Sequence, residues 1–118
     1  MKKKIIIVED DPAILDALTI MLDEAGHEVA GFRNGEAILN NSFEVPQLFI
    51  LDKQLSGVDG LDICRFLKDQ ERTRGIPVMM LSASPQVERQ AMLAGADDFI
   101  EKPLRMQRFL SRVSKLLA

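Results

Sequence analysis

The chain alternates short apolar runs with longer stretches in which apolar residues recur every three or four positions. Ile5-Ile6-Ile7-Val8 is a compact β-branched run that predicts a buried first strand. It ends on Glu9-Asp10-Asp11, after which Pro12 opens a helix with Asp11 as the expected N-cap. Ile14, Leu18, Met21, Leu22 and Ala25 follow helical spacing, and Gly26 supplies the stop. Val29, Ala30 and Phe32 make a weaker second strand; Asn34-Gly35 turns into a brief helix over Ala37, Ile38 and Leu39, which Asn40-Asn41-Ser42 unwinds. Leu48-Phe49-Ile50-Leu51, bounded by Pro46 and ending at Asp52, predicts a strand buried on both faces.

The second half repeats the alternation. Asp59-Gly60 starts a helix with Leu61, Cys64 and Leu67 inside and Arg65, Lys68 and Asp69 outside. Val78-Met79-Met80-Leu81 is a fourth strand ending at Ser82. Ser84-Pro85 pairs an expected N-cap with a first-turn proline, ahead of Val87, Ala91 and Ala94 on an inner face that Gly95 terminates. Phe99-Ile100 is a short fifth strand ending at Glu101-Lys102-Pro103, and the last helix sets Met106, Phe109, Leu110, Val113, Leu116 and Leu117 on one stripe. Five strand–helix units in strict alternation predict an α/β fold: a doubly wound, five-stranded parallel sheet with helices on both faces. Right-handed crossovers and a strand order of 2-1-3-4-5 would place the switch point between strands one and three, where ligands bind beyond the carboxyl ends of strands.

Composition narrows the classes. With 118 residues, the chain is expected to form one domain, residues 1–118, with a core that needs no disulfide. The formal net charge is −3 and Trp and Tyr are absent, so nucleic acid is not an expected direct partner. The one cysteine, Cys64, is expected to be a small buried hydrophobe, Met79 and Met80 to fill core, and Lys2 to Lys4 to form a solvated flank against edge pairing. The apolar run after those lysines stops at four residues, too short for a signal sequence, and no run approaches a membrane span. The expected compartment is the cytoplasm.

Under the 2-1-3-4-5 order, Glu9 and Asp10 come beside Asp52, with Ser82 and Lys102 at the same sheet edge. Three converging carboxylates repel, so either one holds a proton through a raised pKa or a cation sits among them. Hard oxygen donors with water access favour Mg²⁺. A carboxylate can attack phosphorus to give an acyl phosphate, a step that needs positioning and charge neutralisation more than proton transfer. Lys102 would supply charge, and the Ser82 hydroxyl would donate to a phosphoryl oxygen. An isolated Asp after a strand is most often a cap or turn residue, but Asp59 is better placed to cap the next helix.

The chain resembles a bacterial two-component response-regulator receiver domain, of flavodoxin-like fold, over essentially its whole length. The resemblance is carried by Ile6-Ile7-Val8-Glu9-Asp10-Asp11-Pro12, by Leu51-Asp52 with Gly57-Val58-Asp59-Gly60, by Pro77 to Ala83, and by Gly95 to Pro103. It implies that Asp52 is the phosphoacceptor, that Glu9 and Asp10 form the Mg²⁺ pocket with the backbone carbonyl of Gln54, and that Lys102 binds phosphate. It further implies Ser82 as the switch hydroxyl, Phe99 as an aromatic that turns inward on activation, and a cis bond before Pro103. Gln54 and Ser84 flank the reaction centre, where they would tune the access of water. Expected partners are a histidine kinase or phosphotransfer domain, which supplies the phosphoryl group, and a downstream output domain or partner protein. A homodimer through helix 4, strand 5 and helix 5 is one option. The chain reaches Ala118 with the fifth helix, so an output domain is expected to be absent from it.

Four positions depart from the commonest family pattern. Glu9 replaces a frequent Asp, Ser56 a proline that would stiffen its loop, Ser82 a frequent Thr, and Phe99 a frequent Tyr. Among rival classes, an aspartyl phosphohydrolase would want an acid where Gln54 stands, so turnover of an external substrate is not expected. A flavodoxin would want a hydroxyl-rich phosphate loop where Glu9-Asp10-Asp11 would repel phosphate. A degenerate receiver that only docks a partner is the remaining alternative.

Overall fold

The computed structural model describes residues 2–118. Ten elements alternate along the chain: β1 (Lys4–Val8), α1 (Pro12–Glu24), β2 (Glu28–Phe32), α2 (Glu36–Leu39), β3 (Leu48–Asp52), α3 (Gly60–Asp69), β4 (Val78–Ser82), α4 (Val87–Leu93), β5 (Asp98–Glu101) and α5 (Met106–Leu117). All four strand pairings are parallel, and the sheet order is β2-β1-β3-β4-β5.

That order decides which face each helix covers. The chain leaves β1 in one direction to form β2, then reverses past β1 through β3, β4 and β5. Crossovers of one hand must then put α1 on one face and α2, α3 and α4 on the other. Strand residues alternate between the two faces accordingly. Ile6, Val8, Phe49, Leu51, Val78, Met80 and Phe99 pack with Ile38, Ile63, Cys64, Leu67, Val87 and Ala91. Ile5, Ile7, Leu48, Ile50, Met79, Leu81 and Ile100 pack with Leu18, Leu22, Phe109 and Val113 of α1 and α5. The three central strands are therefore apolar at consecutive positions because both of their faces are covered.

Local chemistry sets the element ends. The Asp11 carboxylate accepts from the amides of Ala13 and Ile14, at 2.9 and 3.3 Å, and Pro12 occupies the first turn of α1. Asp59 accepts from Leu61 N at 2.8 Å to cap α3. Gly26 and Gly95, which end α1 and α4, have φ of +94° and +100°.

Four expectations are corrected. Helix α4 does not begin at Ser84-Pro85: Val87 N donates to Ser84 O and Glu88 N to Pro85 O, so these residues form a tight turn and the helix starts at Val87. Lys68 is not a solvated outer residue. Its ammonium bonds Ile76 O at 2.8 Å and the Asp97 carboxylate at 2.9 Å, tying α3 to the turn before β5. Met106 and Ala25 are exposed, Met106 as the first residue of α5 and Ala25 as the C-cap of α1, where a helix end leaves side chains open to solvent. Lys4 is no edge residue: it opens β1, between β2 and β3, and pairs with Glu44.

Candidate acidic site at the carboxyl edge of the sheet

β1 and β3 are adjacent, with Val8 opposite Leu51, so the residues that follow β1 lie beside the last residue of β3. Glu9, Asp10 and Asp52 each bring a carboxylate oxygen within 4.8 Å of the others. Glu9 and Asp52 are 1% and 3% exposed, whereas Asp10 is half-buried. The residue after β5 brings the counter-charge: the Lys102 ammonium lies 3.0 Å from Glu9 Oε1 and 3.1 Å from Asp52 Oδ1. Its directed hydrogen bond goes to Glu9. The Asp52 approach is a charge contact of poor hydrogen-bond geometry, which leaves the buried Oδ1 with no hydrogen-bond partner.

The electrostatics follow from one ammonium among three acids. Burial pushes the Glu9 carboxyl up to about 6, the Lys102 hydrogen bond opposes that rise, and nearby Asp52 reinforces it. Burial alone would lower Lys102, but its bond to Glu9 and the Asp52 charge outweigh that and hold it above its usual range. Both Glu9 oxygens are occupied, Oε1 by Lys102 and Oε2 by the Asp11 amide at 3.2 Å. Asp52 Oδ1 is not.

That orphaned buried oxygen is the test of whether a cation belongs here. A buried carboxylate oxygen that accepts no hydrogen bond and shares one ammonium with a second acid is under-satisfied, and hard oxygen donors converging with solvent access on the Asp10 side suit a small divalent ion. Asp10, Asp52 and the exposed β3–α3 loop that carries Gln54 fit such an ion; Glu9, with both oxygens bound, stands behind them.

The other sequence candidates distribute as follows. Ser82, 1% exposed, ends β4 beside Asp52's neighbour Leu81, and its hydroxyl accepts from Ser84 N at 3.1 Å. Ser84 is half-buried on the next turn and Gln54 is exposed. Phe99 is already inside, 8% exposed in the α2–α4 core. The Lys102–Pro103 bond is cis.

Two residues that the sequence marked only as a loop substitution and a helix start make contacts at the site. The Ser56 hydroxyl donates to Asp10 Oδ2 at 3.1 Å, tying the β3–α3 loop to the loop after β1. Gly60, first residue of α3, sits so close to the Asp52 backbone that a Cβ would lie 2.1 Å from the Asp52 carbonyl oxygen. A serine in a loop and a glycine at a helix start are both commonplace, so only the fold reveals these contacts.

This fold with this site defines a class. The family model described as the response regulator receiver domain matches residues 5–114, and the chain belongs to that family, the receiver domains of two-component signalling. Among curated relatives it is 40% identical over 119 residues to the DNA-binding dual master transcriptional regulator RpaA of Synechocystis, covering 97% of this chain and 48% of that protein. It is 38% identical to the phosphate regulon transcriptional regulatory protein PhoB of Rhizobium meliloti, covering 99% and 53%. The chain thus spans about half the length of the curated relatives it matches. Among solved structures, the signal receiver domain of a signal transduction histidine kinase from Syntrophus aciditrophicus is 37% identical with a TM-score of 0.88, over 98% of this chain and 89% of that one. The BeF3-activated DrrB receiver domain is 32% identical at a TM-score of 0.88, over 99% and 98%. Among the described residues no helix is long and apolar enough to cross a membrane.

Proposed function

We propose that Asp52 accepts a phosphoryl group and that the chain switches a partner surface in response. The observation that carries this reading is the buried Asp52 Oδ1, unpartnered by any hydrogen bond and 3.1 Å from the Lys102 ammonium. An Asp52 oxygen attacks phosphorus while the P–N bond to a donor imidazole breaks; the imidazole leaves with its electron pair and takes a proton from solvent. The product is an acyl phosphate on Asp52. A histidine kinase or phosphotransfer domain supplies the phosphohistidine, and a small donor such as acetyl phosphate can substitute.

Mg²⁺ would be held by Asp10, Asp52 and the Gln54 carbonyl, with Glu9 behind, and when bound it supplies positive charge to the phosphoryl oxygens. Lys102 does the same from the opposite side. For that it must exchange part of its hold on Glu9 for the incoming phosphate, a trade between two anions at similar reach. Ser82 Oγ, whose one hydrogen bond among the described residues is as an acceptor, keeps its proton free to donate to a phosphoryl oxygen. The activated state of the DrrB receiver domain supports the switch reading.

Output runs through α4, β5 and α5. Phe99 backs that face, and a hollow of about 200 Å³ opens there among Glu88, Glu101, Arg105, Arg108 and Arg112. Mixed charge of this kind suits a partner protein, an output domain, or a second copy paired through the same elements. The chain turns over no external substrate; its chemistry is its own phosphorylation and dephosphorylation, the latter tuned by Gln54 and Ser84 beside the acceptor. The cytoplasm is the compartment in which such a donor is found.

Intact mass after incubation with acetyl phosphate, and separately with a phosphohistidine donor, tests the reading. A gain of one phosphoryl group that needs Mg²⁺ and disappears in Asp52→Asn is expected. No gain with either donor, or a gain that survives Asp52→Asn, would overturn it.

A further inference from the structure

The contact between Ser56 and Asp10 falls outside the phosphoacceptor set. Ser56 lies in the β3–α3 loop, four residues beyond Asp52, and its hydroxyl donates across the pocket mouth to Asp10 Oδ2 at 3.1 Å. An exposed serine–carboxylate bond in isolation would contribute little, because both groups are as well served by water. Here the loop is held from both sides. Leu55 and Val58 pack against the α2–α4 core, and Lys53 pairs with Asp59 at 3.0 Å to close the loop's base. Gly57 supplies the φ of +90° that turns the chain between them. The hydroxyl is thus presented at a fixed place, and little conformational freedom is lost when the bond forms.

Asp10 is the acid that gains most from such a partner. Glu9 is buried and hydrogen-bonded to Lys102, and Asp52 is buried with the same ammonium 3.1 Å away, whereas Asp10 stands half-buried with its side chain bonded, among the described residues, to Ser56 alone. Ser56 bonds Oδ2, and among the described residues Oδ1 accepts no hydrogen bond. The pocket also holds the buried Asp52 Oδ1, which accepts no hydrogen bond and meets only the Lys102 charge.

We infer that Ser56 is a positioning residue for divalent-cation binding: its hydroxyl orients Asp10 and couples the order of the β3–α3 loop, which carries Gln54, to occupancy of the acidic pocket. The inference rests on the reading of Glu9, Asp10 and Asp52 as a cation pocket. It assigns Ser56 no contact with the ion; the residue acts through Asp10 and through the loop.

The test uses Mn²⁺ and Mg²⁺ as probes on the full chain, with affinity measured by the electron paramagnetic resonance of free Mn²⁺ and by titration calorimetry. Ser56→Ala is expected to bind roughly fivefold more weakly, the loss of one hydrogen bond to a charged acceptor on a part-exposed loop. Ser56→Thr, which keeps the hydroxyl, is expected to stay within about twofold of wild type. In EDTA all three proteins should share one urea midpoint, since the bond serves the ion and not the core. Wild-type affinity in Ser56→Ala would overturn the inference and leave the pocket reading intact. A loss that Ser56→Thr does not rescue, accompanied by a lower urea midpoint in EDTA, would also overturn it, as a loop-folding effect. If wild type binds neither ion, or Asp10→Asn binds as wild type does, the pocket reading itself fails.

Discussion

Replacing Gly60 by alanine asks whether the acceptor is held by packing of backbone on backbone. Gly60 needs no special φ, unlike Gly26, Gly57 and Gly95; alanine at a helix start is ordinarily an improvement, by about 0.4–1 kcal/mol through the unfolded chain. The structure predicts the reverse sign. The new Cβ would fall 2.1 Å from the Asp52 carbonyl oxygen and 2.9 Å from Lys53 Cα, and both neighbours are backbone atoms with no rotamer to yield. Relief requires α3 to withdraw or the end of β3 to shift. Withdrawal strains the bond from Gly60 N to Lys53 O at 3.0 Å and the Asp59 cap at 2.8 Å; a shift of β3 strains the bond from Lys53 N to Leu81 O at 2.9 Å. One or two weakened hydrogen bonds at about 1 kcal/mol each, plus overpacking strain of about 1–3 kcal/mol, outweigh the entropic gain and leave a net loss of about 2–3 kcal/mol. At this chain length that lowers the unfolding midpoint by about 10 °C. Gly75 is the control, because a Cβ there meets nothing within 4 Å and its φ is unexceptional. Since Trp and Tyr are absent, far-UV circular dichroism in urea is the appropriate probe. If Gly60→Ala is as stable as Gly75→Ala, the close approach of α3 to Asp52 is wrong.

Other expectations concern charge and burial. Glu9 keeps its proton to about pH 6 in the folded chain against an ordinary 4.5, so the folded state binds more protons than the unfolded one in that window. In EDTA, stability is expected to fall by about 2 kcal/mol as pH rises through 4.5 to 6, and Glu9→Gln should flatten the slope; an unchanged slope in urea titrations would refute the assignment. Burial pushes the Cys64 thiol up to about 11, against weaker opposition from Lys68, so at pH 8 a disulfide reagent should modify it at least roughly a hundredfold more slowly than a free thiol until urea unfolds the chain. Lys68→Met should cost about 1–2 kcal/mol and raise amide exchange in the turn before β5, because Asp97 and Ile76 O lose their shared partner. Exchange unchanged from wild type would show that the strut is idle.

The apolar runs determined the strands and the spacing of Gly, Pro and Asp determined most helix ends, because both are local: a residue's burial period and its backbone freedom are properties of a few neighbours. The parallel alternation in turn restricted the sheet to few orders, and the acids after two of its strands announced a site. Where the sequence misled, a non-local contact had taken over. Ser84-Pro85 has the chemistry of a helix start, yet the chain needs a turn there to bring Val87 onto the core. Lys68 has the position of a solvated residue, yet the returning strand offers it Asp97 and a carbonyl. Glu9, Asp10 and Asp52 could be named as neighbours from the order of strands. Only the tertiary structure decided how they differ: Glu9 is bonded on both oxygens, Asp10 accepts from Ser56, and Asp52 carries a buried oxygen that meets the Lys102 charge but accepts no hydrogen bond. Those distinctions arise from side chains 46 and 93 positions apart in the chain meeting at one sheet edge, and no local pattern encodes such a meeting.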